Sequence, residues 1–465
     1  MVFSSTVFLF LFLPALLLVY YLPVGRRDPS LQRGWRNGVL LLFSIGFYAW
    51  GEPVFVFLML GSVLVNWLLV LLMSRSRRKK PWMVAAIFFD VVLLGVFKYV
   101  SFLSRNLAAI TGNDAVIVNI ALPIGISFFT FQMMSYVFDV YYGKAQMQRN
   151  PLYVALYITL FPQLIAGPIV RYTEVEADIL GRRESFAEFS QGLQRFIYGL
   201  GKKVLLANFL AQMADNVFDY LEHPSVLMAW IGAVAYTLQI YYDFSGYSDM
   251  AIGLGRMFGF HFSENFNYPY IARSVTDFWR RWHISLSTWF RDYVYIPLGG
   301  NRVVKQRWVM NLFTVWLLTG IWHGANWTFV LWGLIYFVVL LVEKELHLAD
   351  KGGLLPCVYT LPVVVLAWVF FRAADIQSGM RYIGHMFGIG ANGLWDPSAI
   401  QCIKDSYVIW IAAFIGGLPL LSAGFAKLRS RGMSWVEHLW LLAVFLLSLL
   451  QVISSTYNPF IYFNF

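Results

Sequence analysis

Charge is scarce in this chain. Of its 465 residues only 13% are charged while 59% are hydrophobic, and the mean hydropathy is +0.62, a composition that one water-soluble core cannot accommodate. Cysteine is scarcer still. Cys357 and Cys402 form neither a metal-binding spacing nor a disulfide framework, which argues against zinc and redox chemistry and leaves both as apolar helix filler. No G-x-S-x-G elbow accompanies Ser245 or Ser248, and no H-x-x-x-H pair occurs, so covalent serine catalysis and a histidine-bound metal both lack support. The stretch "GLGRMFG" (253–259) has G-x-G-x-x-x-G spacing without a strand–turn–helix unit around it; helix packing explains it better than dinucleotide binding. Internal repeats and low-complexity tracts are missing, and no stretch is long enough to bury a soluble core of its own. The opening "MVFSSTVFLF" has no basic n-region, and "LLLVYYLPVG" offers no small-residue cleavage site, so the first apolar segment is expected to remain as a helix.

Apolar runs are what the chain has in excess. Residues 5–22, 53–73, 82–99, 117–141, 227–242, 306–320, 326–343, 354–372, 407–422 and 434–454 each approach the ~20 apolar residues that cross a bilayer. The expected fold is therefore an all-α polytopic membrane protein, a single membrane domain over residues 1–465 with about ten to twelve embedded helices. Lys and Arg exceed Asp and Glu by 35 − 25 = 10, and their placement carries topology, because basic loops stay in the cytoplasm. Arg26, Arg27, Arg33 and Arg36 form one basic loop and "RSRRKK" (75–80) a second, separated by two apolar stretches that turn at Gly51, Glu52 and Pro53. Both loops then face the cytoplasm and the N-terminus faces outside. A juxtamembrane run such as "RSRRKK" meets anionic membrane lipid rather than nucleic acid. Residues 171–190 read as a surface amphipathic helix, followed by "GKK" (201–203) at the cytoplasmic interface.

The polar residues inside the apolar segments crowd into 241–326. Asp243, Asp249, His283 and His323 lie in or at the edge of membrane segments, where an ionisable group is expensive and marks a functional site by default. Asp243 and Asp249 have a plainer alternative, hydrogen bonds from Arg or Tyr neighbours. His323 stands out by its surroundings. Gly320 and Gly324 flank it at i−3 and i+1, a spacing that allows close helix packing and leaves room beside the ring. Asn326, three residues on, falls on the same helical face, where it would fix the tautomer or hold a substrate carbonyl. A partly desolvated imidazole in such a place is kept neutral, as a general base must be.

Several long motifs carry a resemblance: "LPIGISFFTFQMMSYVFDVY" (122–141), "FPQLIAGPIVRY" (161–172), "YYDFSGYSDMAIGLGRMFGF" (241–260), "NFNYPYIARSVTDFWRRWHISLSTWFRDYVYIPLGGNR" (265–302) and "GIWHGANWTF" (320–329). The chain resembles the membrane-bound O-acyltransferase (MBOAT) family, and within it the branch that acetylates alginate and other exopolysaccharides or cell-wall polymers. The likeness runs from Met1 to about Glu345, with a catalytic core about 117–345. It implies helices around a central tunnel in the bacterial cytoplasmic (inner) membrane, with no bound cofactor or metal. Acetyl-CoA is then the acyl donor substrate, a polysaccharide the acceptor, and an extracytoplasmic acetyl-accepting protein the partner. Position by position, the catalytic histidine falls on His323 and the second motif residue on His283. Arg280 and Arg281 would meet the phosphates of coenzyme A, and Asn326, Asp243 and Trp322 complete the expected substrate-binding set. The alternatives are the teichoic acid D-alanylation branch, which shares "RWHISLS", and a transporter or flippase. Against the latter, the polar cluster has no counterpart in residues 1–200, where matched halves would place one.

The basic-loop argument fixes a testable orientation. A cysteine introduced at Arg78 is expected to resist an impermeant thiol reagent in intact cells and to react once the cells are opened; labelling in intact cells would reverse the topology.

Overall fold

The computed structural model describes residues 1–25, 27–350 and 355–461. Helices make up most of it, and no strand occurs among the described residues. Arg26 and the side chain of Cys357 lie outside the described residues. Among the described residues five helices are long and apolar enough to cross a membrane: Phe55–Arg75, Lys79–Thr111, Trp327–Glu345, Pro397–Gly416 and Ser434–Ser454. Phe8–Tyr20 and Val358–Arg372 are shorter apolar helices. Length and apolarity thus support fewer spans than the ten apolar runs counted in the sequence, for two physical reasons. Some runs are interrupted. The 117–141 run becomes helical only at Ile126, after Pro123 and a left-handed Gly125. Other helices are long but carry polar groups inward, as Val226–Met257 does with Thr237, Gln239, Asp243, Ser245, Ser248 and Asp249, all buried.

The chain forms two compact units, one of residues 1–196 with 248–263 and one of 197–247 with 264–465. In the first, helices Phe55–Arg75 and Lys79–Thr111 meet at a buried Asn66–Asp90 hydrogen bond of 2.8 Å. The basic stretch at 26–36 is not a loop throughout. Asp28 caps a helix that starts at Pro29, so Arg33 and Arg36 sit on its first two turns, and both pair with Glu184 at 3.0 and 2.5 Å. The expected single helix over 171–190 is likewise two, Tyr172–Gly181 and Phe186–Gly201. Between them lies Arg182, which is fully enclosed. It donates to Asn37 Oδ1 at 2.6 Å and to the carbonyl of Phe258 at 2.9 Å, and its guanidinium lies over the Phe260 ring. Gly192 and Gly253 bring two backbones together, since a Cβ on either would lie 2.5 Å from the carbonyl oxygen of the other. That contact supports the packing reading of "GLGRMFG".

The second unit is organised by aromatic rings. Trp279, Trp316, Trp332, Trp368 and Tyr336 belong to one buried cluster. Trp279 stands edge-on to Trp316 and to Tyr336, each 4.8 Å away between ring centres. Helices Lys305–His323 and Trp327–Glu345 form a close pair, because Gly320 and Gly333 face each other without side chains. Lys203 does not reach the interface as "GKK" predicted. It is buried against Asp243 at 2.7 Å and donates to the carbonyl of Pro459, while the amide of Ile461 donates to the other Asp243 oxygen at 2.9 Å. A buried ion pair needs its remaining hydrogen-bonding capacity filled, and the segment 455–461 fills it.

The glycine pair yields a stability prediction. A Cβ at Gly333 would lie 2.4 Å from the carbonyl oxygen of Trp316, so Gly333→Ala should destabilise by about 1–3 kcal/mol and lower the melting midpoint in detergent. Gly38→Ala, with nothing within 4 Å of the added methyl, should leave the midpoint unchanged or raise it.

Candidate active site

Within the motif at 265–302 the chain folds into a short helix, Val275–Arg281, that is held at both ends. At its start the Ser274 hydroxyl accepts from the amide of Asp277 at 2.9 Å. The amides of Val275 and Thr276 donate to the carboxylate of Glu343 at 2.7 and 2.9 Å, and Tyr359 donates its hydroxyl to the same group at 2.5 Å. Glu343 is only 1% exposed. A carboxylate there satisfies the orphan amides and complements the positive helix end.

At the far end the chain turns sharply at His283, whose φ of +45° is left-handed, a conformation that costs a non-glycine residue ~1–3 kcal/mol and persists only where its surroundings enforce it. Asn265 supplies that enforcement. Its carbonyl accepts from the amide of Ile284 at 3.0 Å, and its side-chain Oδ1 accepts from the amide of Ser285 at 3.2 Å and the hydroxyl of Ser285 at 2.9 Å. His283 Nδ1 lies 3.2 Å from the same oxygen. Next door, the amide of Asn267 donates to the carbonyl of Arg281 at 2.9 Å. The His283 ring is 1% exposed, set edge-on to Phe244 at 4.6 Å, and its Nε2 has no hydrogen-bond partner among the described residues. His283 stands outside the five candidate spans, and burial pushes its imidazole down to about 3, so the ring is neutral at ordinary pH.

His323 is the last residue of the Lys305–His323 helix and is also buried. Its ring stands edge-on to Trp332 at 4.9 Å and Phe371 at 5.1 Å. Trp322 joins the two histidines. Its ring centre is 5.1 Å from that of His323 and 6.0 Å from that of His283, so residues 40 apart in sequence share one aromatic neighbour.

The remaining predicted residues fall behind or beside this centre. Asn326 is not on the face of His323: the helix ends at His323, Gly324 is fully extended, and Asn326 caps the next helix. Its Oδ1 accepts from the amide of Thr328 at 3.1 Å and its Nδ2 donates to the carbonyl of Ala374 at 2.8 Å. Nor does Gly324 leave room beside the imidazole, because the Phe329 ring fills that space, 2.2 Å from where a Cβ would stand. Asp243 has its oxygens engaged by Lys203 and Ile461, and Asp249 is paired with Arg195 at 2.7 Å. Arg281 is tied to Asp277 at 2.9 Å. Arg280 is exposed. Arg291 pairs with its neighbour Asp292 at 2.7 Å. Among the described residues no group of three or more His, Cys, Asp and Glu side chains comes together to hold a metal ion.

Sequence reasoning singled out neither Asn265 nor Glu343. Asn265 stood in the polar run "SENFNYPYIARS", and Glu343 closes an apolar helix where a carboxylate is costly; those were the available signals.

Comparison with known proteins bears on this geometry. The family model described as MBOAT, membrane-bound O-acyltransferase family, matches residues 148–349. A protein of Pseudomonas putida named probable alginate O-acetylase AlgI is 40% identical over the whole of both chains. The peptidoglycan O-acetyltransferase of Helicobacter pylori is 32% identical over all of this chain and 98% of its own. The teichoic acid D-alanyltransferase of Bacillus subtilis is 30% identical over 48% of this chain and 59% of its own. Residues 148–349 contain both histidines, Trp322, Asn265 and Glu343, and with full-length relatives at these identities the chain belongs to the membrane-bound O-acyltransferase family, whose members are acyl-transferring enzymes.

Proposed function

We propose that this O-acyltransferase takes an acetyl group from acetyl-CoA on the cytoplasmic side and delivers it outward for O-acetylation of a secreted or cell-wall polysaccharide. One observation carries the reading: two buried imidazoles, His283 and His323, both stand against Trp322. In this reading His323 is the general base. It takes the proton of the acceptor hydroxyl as that oxygen attacks the thioester carbonyl; the carbon–oxygen bond forms, the carbon–sulfur bond breaks, and the proton passes to the departing sulfur. His283 is the second histidine of the centre and Trp322 the surface against which the acetyl group packs. Arg280, exposed, receives the phosphates of coenzyme A. Arg281, Asn326 and Asp243 act as supports, since their polar groups are already engaged within the protein.

The same proposal takes about ten to twelve embedded segments to surround a tunnel in the bacterial cytoplasmic membrane. Acetyl is favoured over D-alanyl because the acetyl-transferring relatives align along the whole chain and the D-alanyl relative along 48% of it. A separate extracytoplasmic protein receives the acetyl group. Between Thr111 and Ile126, and between Tyr220 and Val226, the connections on the expected outer side are too short to build a groove for several sugars. Only the acetyl group needs to cross ~30 Å of hydrocarbon, which the anionic donor itself cannot do.

Liposomes holding the purified protein, internal acetyl-CoA and external polysaccharide test both halves. His323→Ala should lower acetyl transfer by ~10²–10⁴ while leaving protein levels near normal; retention of more than about a tenth of the wild-type rate would remove His323 from the chemistry. Efficient acetylation of the polymer with no added protein would refute the relay.

A further inference from the structure

The two nitrogens of His283 are not equivalent, and the reason lies in Asn265. A backbone amide can only donate a hydrogen bond. Because the amide of Ser285 points at the outer atom of the Asn265 side chain at 3.2 Å, that atom is the carbonyl oxygen, an acceptor, and the assignment of the Asn265 amide is settled by chemistry. The Ser285 hydroxyl, 2.9 Å away, donates to the same oxygen. The same hydroxyl lies 3.4 Å from His283 Nδ1; with its hydrogen given to Asn265 it offers Nδ1 only lone pairs, so Nδ1, 3.2 Å from the Asn265 oxygen, faces two acceptors and carries the hydrogen in this arrangement. In a neutral imidazole the other nitrogen then holds a lone pair. That nitrogen, Nε2, is the one with no partner among the described residues, on a ring that is 1% exposed. An unpartnered acceptor this deeply enclosed is costly unless something brings it a hydrogen.

We propose that Asn265 is a positioning residue that holds His283 in the tautomer with hydrogen on Nδ1, so that Nε2 accepts a hydrogen bond from a substrate group during acyl transfer. The inference rests on the acyl-transfer reading of the His283–Trp322–His323 centre and adds a direction to it. His283 cannot donate from Nε2 in this state, which makes it unsuited to polarising the thioester carbonyl or stabilising an oxyanion. Its partner is an O–H or N–H: the acceptor hydroxyl or an amide of the donor's pantetheine arm. The same asparagine also holds the backbone, through Ile284 and Ser285, in the left-handed turn that aims the ring. Partners of this kind, which orient a functional histidine through its other nitrogen, are worth about 10–100-fold where they have been removed from metal-bound histidines.

Two measurements test the proposal separately. Nitrogen-15 spectra of histidine-labelled protein in nanodiscs, with the His283 signal identified by its loss in His283→Asn, report the tautomer directly and need no activity. The expected spectrum has hydrogen on Nδ1 in the wild type and a mixture of tautomers in Asn265→Ala. Hydrogen on Nε2 in the wild type would overturn the proposal whatever the enzyme does. In the kinetic arm, Asn265→Ala should lower kcat about 10-fold or more with little change in KM for acetyl-CoA. Asn265→Asp, whose carboxylate accepts the same hydrogen, should recover much of that loss. An unchanged kcat in Asn265→Ala, with the tautomer mixed, would equally overturn it. If Asn265→Ala does not fold, the wild-type spectrum still decides, and absence of acetyl transfer by the wild type would refute the proposed function while leaving the tautomer result standing.

Discussion

The amides at the start of the Val275–Arg281 helix, that of Val275 fully buried, are answered by Glu343. Within a membrane protein, backbone that leaves regular structure must be satisfied by the protein itself, and here one carboxylate at the end of an apolar helix takes the amides of Val275 and Thr276 and the hydroxyl of Tyr359. Everything downstream depends on that anchor. Trp279, within that seven-residue helix, stands edge-on to Trp316, Trp332 and Tyr336, and the same two turns lead the chain to His283. Asn265 then takes hold of the far end, with its main-chain and side-chain oxygens both engaged between residues 283 and 285. A strained residue is kept in place because the segment is fixed on both sides of it.

Buried ion pairs and the buried imidazole of His283 are handled differently in this chain. Lys203 and Asp243 neutralise each other, and the segment 455–461 supplies the hydrogen bonds their ion pair lacks. Arg182 is enclosed by Tyr20, Asn37, Glu184 and the carbonyl of Phe258. In both cases the charged groups are consumed by the structure, which is why neither position is available to a substrate. His283 is the contrast. Its ring is surrounded by Phe244, Phe266 and Trp322, yet one nitrogen is left to face whatever enters.

Much of this was legible in the residues. Low charge and apolar runs gave the helical membrane class, and the crowding of polar residues into 241–326 pointed to His283 and His323, which the structure sets against one tryptophan. What stayed hidden has a common cause, distance along the chain. Asn265 acts 18 residues before its histidine and Glu343 acts 68 residues beyond the amide it caps, so no local pattern joins either to its task. Helical spacing also misled at one point. Placing Asn326 beside His323 assumed an unbroken helix, and the extended Gly324 breaks it. The basic stretch at 26–36 misled in another way, since Arg33 and Arg36 turn to Glu184 from a helix rather than lying free in a loop.

In the proposed centre, His283, Trp322 and His323 surround the acyl group at the moment of transfer. A structure of the wild-type protein in nanodiscs bound to a ketone analogue of acetyl-CoA, in which a methylene separates sulfur from the carbonyl, tests it most directly. The analogue's carbonyl should lie against Trp322, with an imidazole nitrogen of His323 within ~4 Å of the carbonyl carbon's open face and so within reach of an attacking hydroxyl. A carbonyl bound elsewhere, with both imidazoles still sealed among their aromatic neighbours, would contradict it.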